Sequence, residues 1–187
     1  MKLIASVFLI LITTLVVKAQ NKLPYYEIPK AAADFTAGSV ASRIIDGLGF
    51  RYYWATEGLQ SKDLSFQPNK EARTTLETIN HILDLSQVIV NATLQKANGK
   101  KQPEMTFVEK RKKTLENLKK ASDILRVSND VSQFKVIFGE KEFPFWNTLN
   151  GPMLDATWHV GQIVSFRRSS GNPLPKGVQF LTGKVKK

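Results

Sequence analysis

The chain has 187 residues, 42% of them hydrophobic and 23% charged, which fits one globular domain and excludes a disordered or fibrous chain. It contains no cysteine and only two histidines, which removes a disulfide scaffold, a thiol nucleophile, a cysteine-based zinc finger and an acylated lipoprotein cysteine. The formal net charge is +11, but the basic residues are scattered among acidic ones except near 110–113 and at the C-terminus, so no nucleic-acid partner is expected from charge alone.

Met1 and Lys2 precede an apolar run over 3–17, and Ala19 follows it as a small residue. This pattern predicts a cleavable signal peptide at 1–19, leaving 20–187 as the mature domain in a periplasmic or secreted location. An uncleaved anchor is the alternative, yet the run is shorter than the roughly 18 residues of a membrane-spanning helix. No integral span is expected once the signal is removed.

In the mature chain, Ala41, Ile44, Ile45, Leu48, Tyr52, Ala55 and Leu59 recur at helical spacing, predicting a first helix over 34–59. After a polar connector with Pro68 and Asn69, Thr74 and Glu77 form a capping-box pattern that starts a second helix near Thr75, running to about Lys96, with Asn98 and Gly99 as its stop. Thr106 and Glu109 repeat the box and open a third helix, with Val108, Leu115, Leu118 and Leu125 on its apolar side and an end near Arg126. The stretch 131–138 is short and rich in Val, Ile and Phe, so it reads as a brief strand or an extended cover. Pro152 stands at a favoured first helical position and opens a fourth helix that Gly171, Asn172 and Pro173 stop; should pairing begin earlier, at 145–149, Pro152 would kink it. Four helices of this length hide their apolar stripes most simply against one another, so the expected fold is an all-α four-helix bundle with an irregular tail over 174–187.

On the second helix His81 lies in line with Leu85, Val88 and Ala92. On the fourth, Asp155 and His159 are four apart, and Ile163 and Phe166 continue that line. All three polar residues are therefore expected to face the interior. A buried carboxylate and two buried imidazoles each need partners, and one divalent cation would serve all three while leaving coordination positions open. A hydrogen-bonded Asp155 and His159 pair with a separately satisfied His81 is the alternative.

The segment 153–163, with His159, Gly161, Gln162 and Ile163, followed by 164–168 and by Ser170, Gly171, Asn172 and Pro173, resembles the last helix of the DinB/YfiT-like family. The segment 75–94, with His81, resembles that family's second helix. The likeness covers roughly 30–185. It implies a four-helix bundle holding a divalent metal, commonly zinc or nickel, through three histidines, with iron as a further option for this donor set. His81 matches the first ligand and His159 the third, whereas Asp155 stands where the family has its second histidine. The resemblance also implies thiol-dependent transferase or isomerase chemistry on a small-molecule substrate, and a homodimer is compatible with it. Low-molecular-weight thiols are concentrated in the cytoplasm, so an exported chain leaves metal-assisted hydrolysis as the other enzymatic reading. A non-catalytic envelope or stress-associated binding protein, with the polar trio purely structural, is the competing class.

Several residues carry two readings. Asp84 can orient His81 or be a solvated helix residue, and Glu77 can approach a metal or serve only its cap. Tyr52, Tyr53 and Trp54 can line a pocket mouth or belong to the core. Arg167 and Arg168 can attract an anion or answer the helix dipole, and 110–113 reads as a solvated face.

Overall fold

Thr36 starts the first long helix, α1 (Ala37–Thr56), where its hydroxyl accepts the Ser39 N–H. The computed structural model describes residues 23–100 and 102–186; the expected signal peptide lies outside the described residues. A short turn of helix, α2 (Ser61–Leu64), follows α1. The capping boxes form as their residue types require: Thr74 and Glu77 exchange bonds at the start of α3 (Thr75–Thr93), as do Thr106 and Glu109 at the start of α4 (Phe107–Arg126). These four groups answer orphan N–H donors that no helix can satisfy from within.

α3 stops earlier than expected. Its chain turns over at Gln95, which adopts a left-handed φ of 52°, while the Lys96 N–H bonds back to the Asn91 carbonyl. Asn98 and Gly99 are not the stop, because β1 (Ala97–Asn98) has already left the helix to pair in parallel with β2 (Lys135–Phe138). β2 in turn pairs antiparallel with β3 (Lys141–Pro144), with Val136 opposite Phe143. The 131–138 segment thus supplies a strand, and the hairpin it forms with β3 is an addition to the expected all-α pattern.

The fourth helical run also begins ahead of its predicted start. α5 (Trp146–Thr148) leads into a π-helical turn (Leu149–Met153) and then α6 (Leu154–Ser169). Pro152 is therefore inside the run rather than at its first position. It has no N–H to offer the carbonyl four residues back, and the turn widens: the Leu154 N–H reaches the Leu149 carbonyl instead. α6 ends at Gly171, which takes a φ of 84° while the Asn172 N–H bonds the Arg167 carbonyl, as the Gly-Asn-Pro stop implies. The tail is not irregular: β4 (Val178–Gln179) and β5 (Lys184–Val185) form a small antiparallel hairpin.

The molecule is mostly helical. α1 packs on α4, α4 on α3, α3 on α6 and α6 back on α1, so the long helices enclose one core. Ile45, Leu48 and Tyr52 of α1 meet Ile79, Ile82 and Ile89 of α3, Leu115, Leu118 and Leu125 of α4, and Val160 and Ile163 of α6, all buried. Two predicted core residues face out instead. Ile44 is 47% exposed beside Phe35 and Val40, and Val108, in the first turn of α4, is 69% exposed beyond the end of the core. No helix among the described residues is long and apolar enough to cross a membrane.

A buried polar knot joins α1 to α4. Asp46 is fully buried, pairs with Arg126 at 2.6 Å and accepts the Ser122 hydroxyl at 2.6 Å and the Tyr25 hydroxyl at 3.3 Å. Removed from water and set beside this carboxylate, the Tyr25 hydroxyl is pushed far above the ordinary tyrosine range and stays a donor.

Candidate metal centre

His81 comes from the second turn of α3, and Asp155 and His159 come from successive turns of α6 immediately after the π-helical turn. The Nε2 of His81 lies 3.2 Å from Oδ2 of Asp155, and the Nε2 of His159 lies 3.2 Å from Oδ1 of the same carboxylate. The two rings stand edge to face with centroids 4.6 Å apart. One ligand atom from each residue can be chosen so that all lie within 4.8 Å of one another, a spacing at which the group could hold a metal ion.

The geometry suits a small cation. Metal–ligand bonds of about 2.1 Å at tetrahedral or octahedral angles set neighbouring donor atoms ~3.0–3.4 Å apart; both 3.2 Å distances fall there, although each runs to a different carboxylate oxygen and the one from His81 is also a hydrogen bond. The orientation of His159 adds a second argument. Its Nδ1 lies 2.8 Å from Oε1 of Gln162, and since a carboxamide oxygen only accepts, Nδ1 carries the proton and donates. In the neutral ring Nε2 is then unprotonated and lies 3.2 Å from a carboxylate oxygen, an acceptor beside an acceptor. A divalent cation bound by the group would lie among these acceptors and balance them. Two imidazoles and a carboxylate are a donor set for zinc, nickel or iron, with remaining positions open.

The trio is less enclosed than its sequence spacing implies. The side chain of Asp155 is 43% exposed and that of His81 29%, against 12% for His159. α3 and α6 meet here at the rim of the core rather than its centre, because the interior between them is filled by Ile79, Ile82, Val160 and Ile163. The carboxylate therefore keeps contact with solvent, and the centre opens outward.

Glu77 is occupied by its cap, its carboxylate held below the usual range by the Thr74 N–H and hydroxyl. Asp84 is exposed and borders a surface hollow along α3. Tyr52 and Trp54 are core residues, and Trp54 donates to the Tyr26 carbonyl. Arg167 is no anion attractor: it is 2% exposed and donates to the carbonyls of Trp54, Ala55 and Asn172. It thereby satisfies carbonyls at the end of α1 that have no helical donor. Arg168 is exposed. Within the basic run, Arg111 also departs from a purely solvated reading, since it bonds Thr56 and Glu57 and lies over the Tyr53 ring at 4.5 Å. Lys112 and Lys113 are exposed.

Sequence reasoning assigned no role to Gln162, although its place three residues after His159 puts it within reach of that ring on a helix. It equally passed over Asp63, buried at the end of α2, which accepts from Ser170, Asn172 and the Gln60 N–H. Compared with protein-family models, with curated proteins and with solved structures, the chain gives no match.

Proposed function

We propose that this is an exported metal-binding protein of the DinB-like four-helix-bundle kind, in which His81, Asp155 and His159 hold one divalent cation: zinc, nickel or iron. The observation that carries the reading is the approach of two imidazole Nε2 atoms, each at 3.2 Å, to the two oxygens of one carboxylate. The bundle is supported by the closed order in which α1, α4, α3 and α6 pack; the family likeness rests on the sequence motif around His159 alone.

When bound, such an ion supplies Lewis acidity that activates a coordinated water or thiol. The chain's own contributions are separable. Gln162 keeps the His159 proton on Nδ1 and so leaves Nε2 free to ligate. Asp155 neutralises part of the ion's charge, and its exposure leaves the outward side of the centre accessible to a small substrate. Of the two chemistries weighed, metal-assisted hydrolysis suits an exported chain better than thiol transfer.

A non-catalytic binding protein is the second reading. His81 can donate its Nε2–H to Asp155 while His159 donates its Nδ1–H to Gln162, which would give each of the three a partner with no ion.

Elemental analysis of protein purified without a metal-chelating tag separates the two. The metal reading expects close to one equivalent after reconstitution with zinc, nickel or iron; less than about 0.1 equivalent of every metal tested removes it. Chelator should also lower the melting temperature of the loaded wild type by more than that of His159→Ala. N-terminal sequencing of the exported protein tests the leader, with a start at Gln20 expected.

A further inference from the structure

Beyond the metal centre, α3 borders a second feature. Between its outer edge and the β1–β2 pair lies a hollow of about 800 Å³, within the size range of small-molecule sites. Its wall is a relay of carboxamides. Gln87 donates to Asn91 at 2.8 Å, Asn91 to Asn98 at 2.9 Å, and Asn98 to the Ile137 carbonyl at 3.1 Å. From behind, Asn117 donates to Oε1 of Gln87 at 3.3 Å.

This relay fixes both the rotamer and the oxygen–nitrogen sense of each amide before any ligand arrives. Each of Gln87, Asn91 and Asn98 uses one N–H in the relay and keeps the other, and the oxygens of Asn91 and Asn98 each accept one bond and keep a second lone pair. The wall thus presents interleaved donors and acceptors. Val88 and Phe138, the latter 45% exposed, add an apolar surface beside them.

We propose that this hollow binds a neutral polyhydroxylated ligand, an oligosaccharide. A hydroxyl both donates and accepts, so neighbouring hydroxyls of a sugar pair with amides that offer both functions. The C–H face of a pyranose suits the exposed ring of Phe138. A phosphate or sulfate fits poorly, because it only accepts and would meet unused carbonyl lone pairs and the carboxylate of Asp84. An apolar ligand would strip water from the amides without replacing its bonds. The charges at the rim, Asp84 with Lys96 and Lys100, sum to +1, which is why an anionic probe is included in the test.

The site does not depend on a metal at His81, and its test is independent. Side-chain amide signals of the full chain are followed by nitrogen-15 NMR during titration with maltotriose, cellotriose and chitotriose, with trigalacturonate as an anionic probe. At least one neutral trisaccharide should move the Gln87, Asn91 and Asn98 signals saturably, with a Kd of about 1 mM or tighter. Asn91→Leu and Phe138→Ala should each weaken that binding at least about tenfold. Absence of any shift with all three neutral probes at about 10 mM overturns the proposal, as does a response to trigalacturonate alone. Should Asn91→Leu fail to fold, Phe138→Ala decides, since its side chain is partly exposed; undiminished binding there overturns the proposal as well.

Discussion

Gln162 and Arg167 sit five residues apart on α6 and show how much one side chain's surroundings decide. Gln162 makes a single contact that matters to the metal centre, the bond that orients His159. Removing such a supporting partner typically costs a metal site 10–100-fold in affinity. Gln162→Leu is therefore expected to raise the zinc Kd by about that factor, with little change in the melting temperature of the metal-free protein. An unchanged Kd, read by competition with a chelating dye, would remove Gln162 from the site. Arg167 has the opposite character. Its guanidinium is enclosed and donates to the Trp54 and Ala55 carbonyls at 2.8 and 3.0 Å, so Arg167→Met would leave those carbonyls buried without a donor. A loss of about 2–4 kcal/mol in urea unfolding is expected, with metal stoichiometry retained.

The helices show the same division between local rules and distant ones. Both capping boxes are satisfied within four residues of sequence, and both appear where Thr74 with Glu77 and Thr106 with Glu109 predict them. The end of α3 follows no such local signal. Gln95 occupies a left-handed conformation that an L side chain with a Cβ adopts at a cost of about 1 kcal/mol, and which glycine accepts freely. Gln95→Gly should accordingly stabilise the protein by about 0.5–1 kcal/mol, visible as a higher urea midpoint at constant m. A lower midpoint would mean that the unfolded chain's gain in freedom outweighs the relief of strain. The π-helical turn is likewise set by one residue and its context. Pro152 announces a missing N–H, but only the presence of α5 ahead of it makes the helix absorb the defect rather than begin there.

At the scale of the whole molecule, Asp63 joins α2 to the end of α6. Burial alone would raise its carboxyl; the bonds from Ser170, Asn172 and the Gln60 N–H outweigh this and hold it below the usual range. A carboxylate depressed in the folded state adds stability that is complete above its unfolded value, about pH 4, and that disappears as pH falls through the folded value. Wild type should therefore exceed Asp63→Asn in stability at neutral pH, and the gap should narrow toward about pH 2. A gap of constant size across that range, measured by urea unfolding, would show that the bonds do not depend on ionisation. The buried Asp46–Arg126 pair ties α1 to α4 by a similar long-range contact.

Read from the residues alone, the chain already specifies its helical phases, both capping boxes, the Gly171 stop and the alignment of Asp155 with His159. Each depends on neighbours three or four positions away, where backbone geometry leaves little freedom. The pairing of β1 with β2, the hairpin at β4 and β5, the enclosure of Arg167 and the outward tilt of the polar trio were settled only in three dimensions. His81 meets Asp155 across 74 positions of sequence, and Arg167 meets Trp54 across 113. No periodicity encodes contacts of that reach, because they depend on how filled helix faces leave their edges to meet. Where the core between α3 and α6 is full, the imidazoles and carboxylate are displaced to its rim, and that displacement gives the centre its open side.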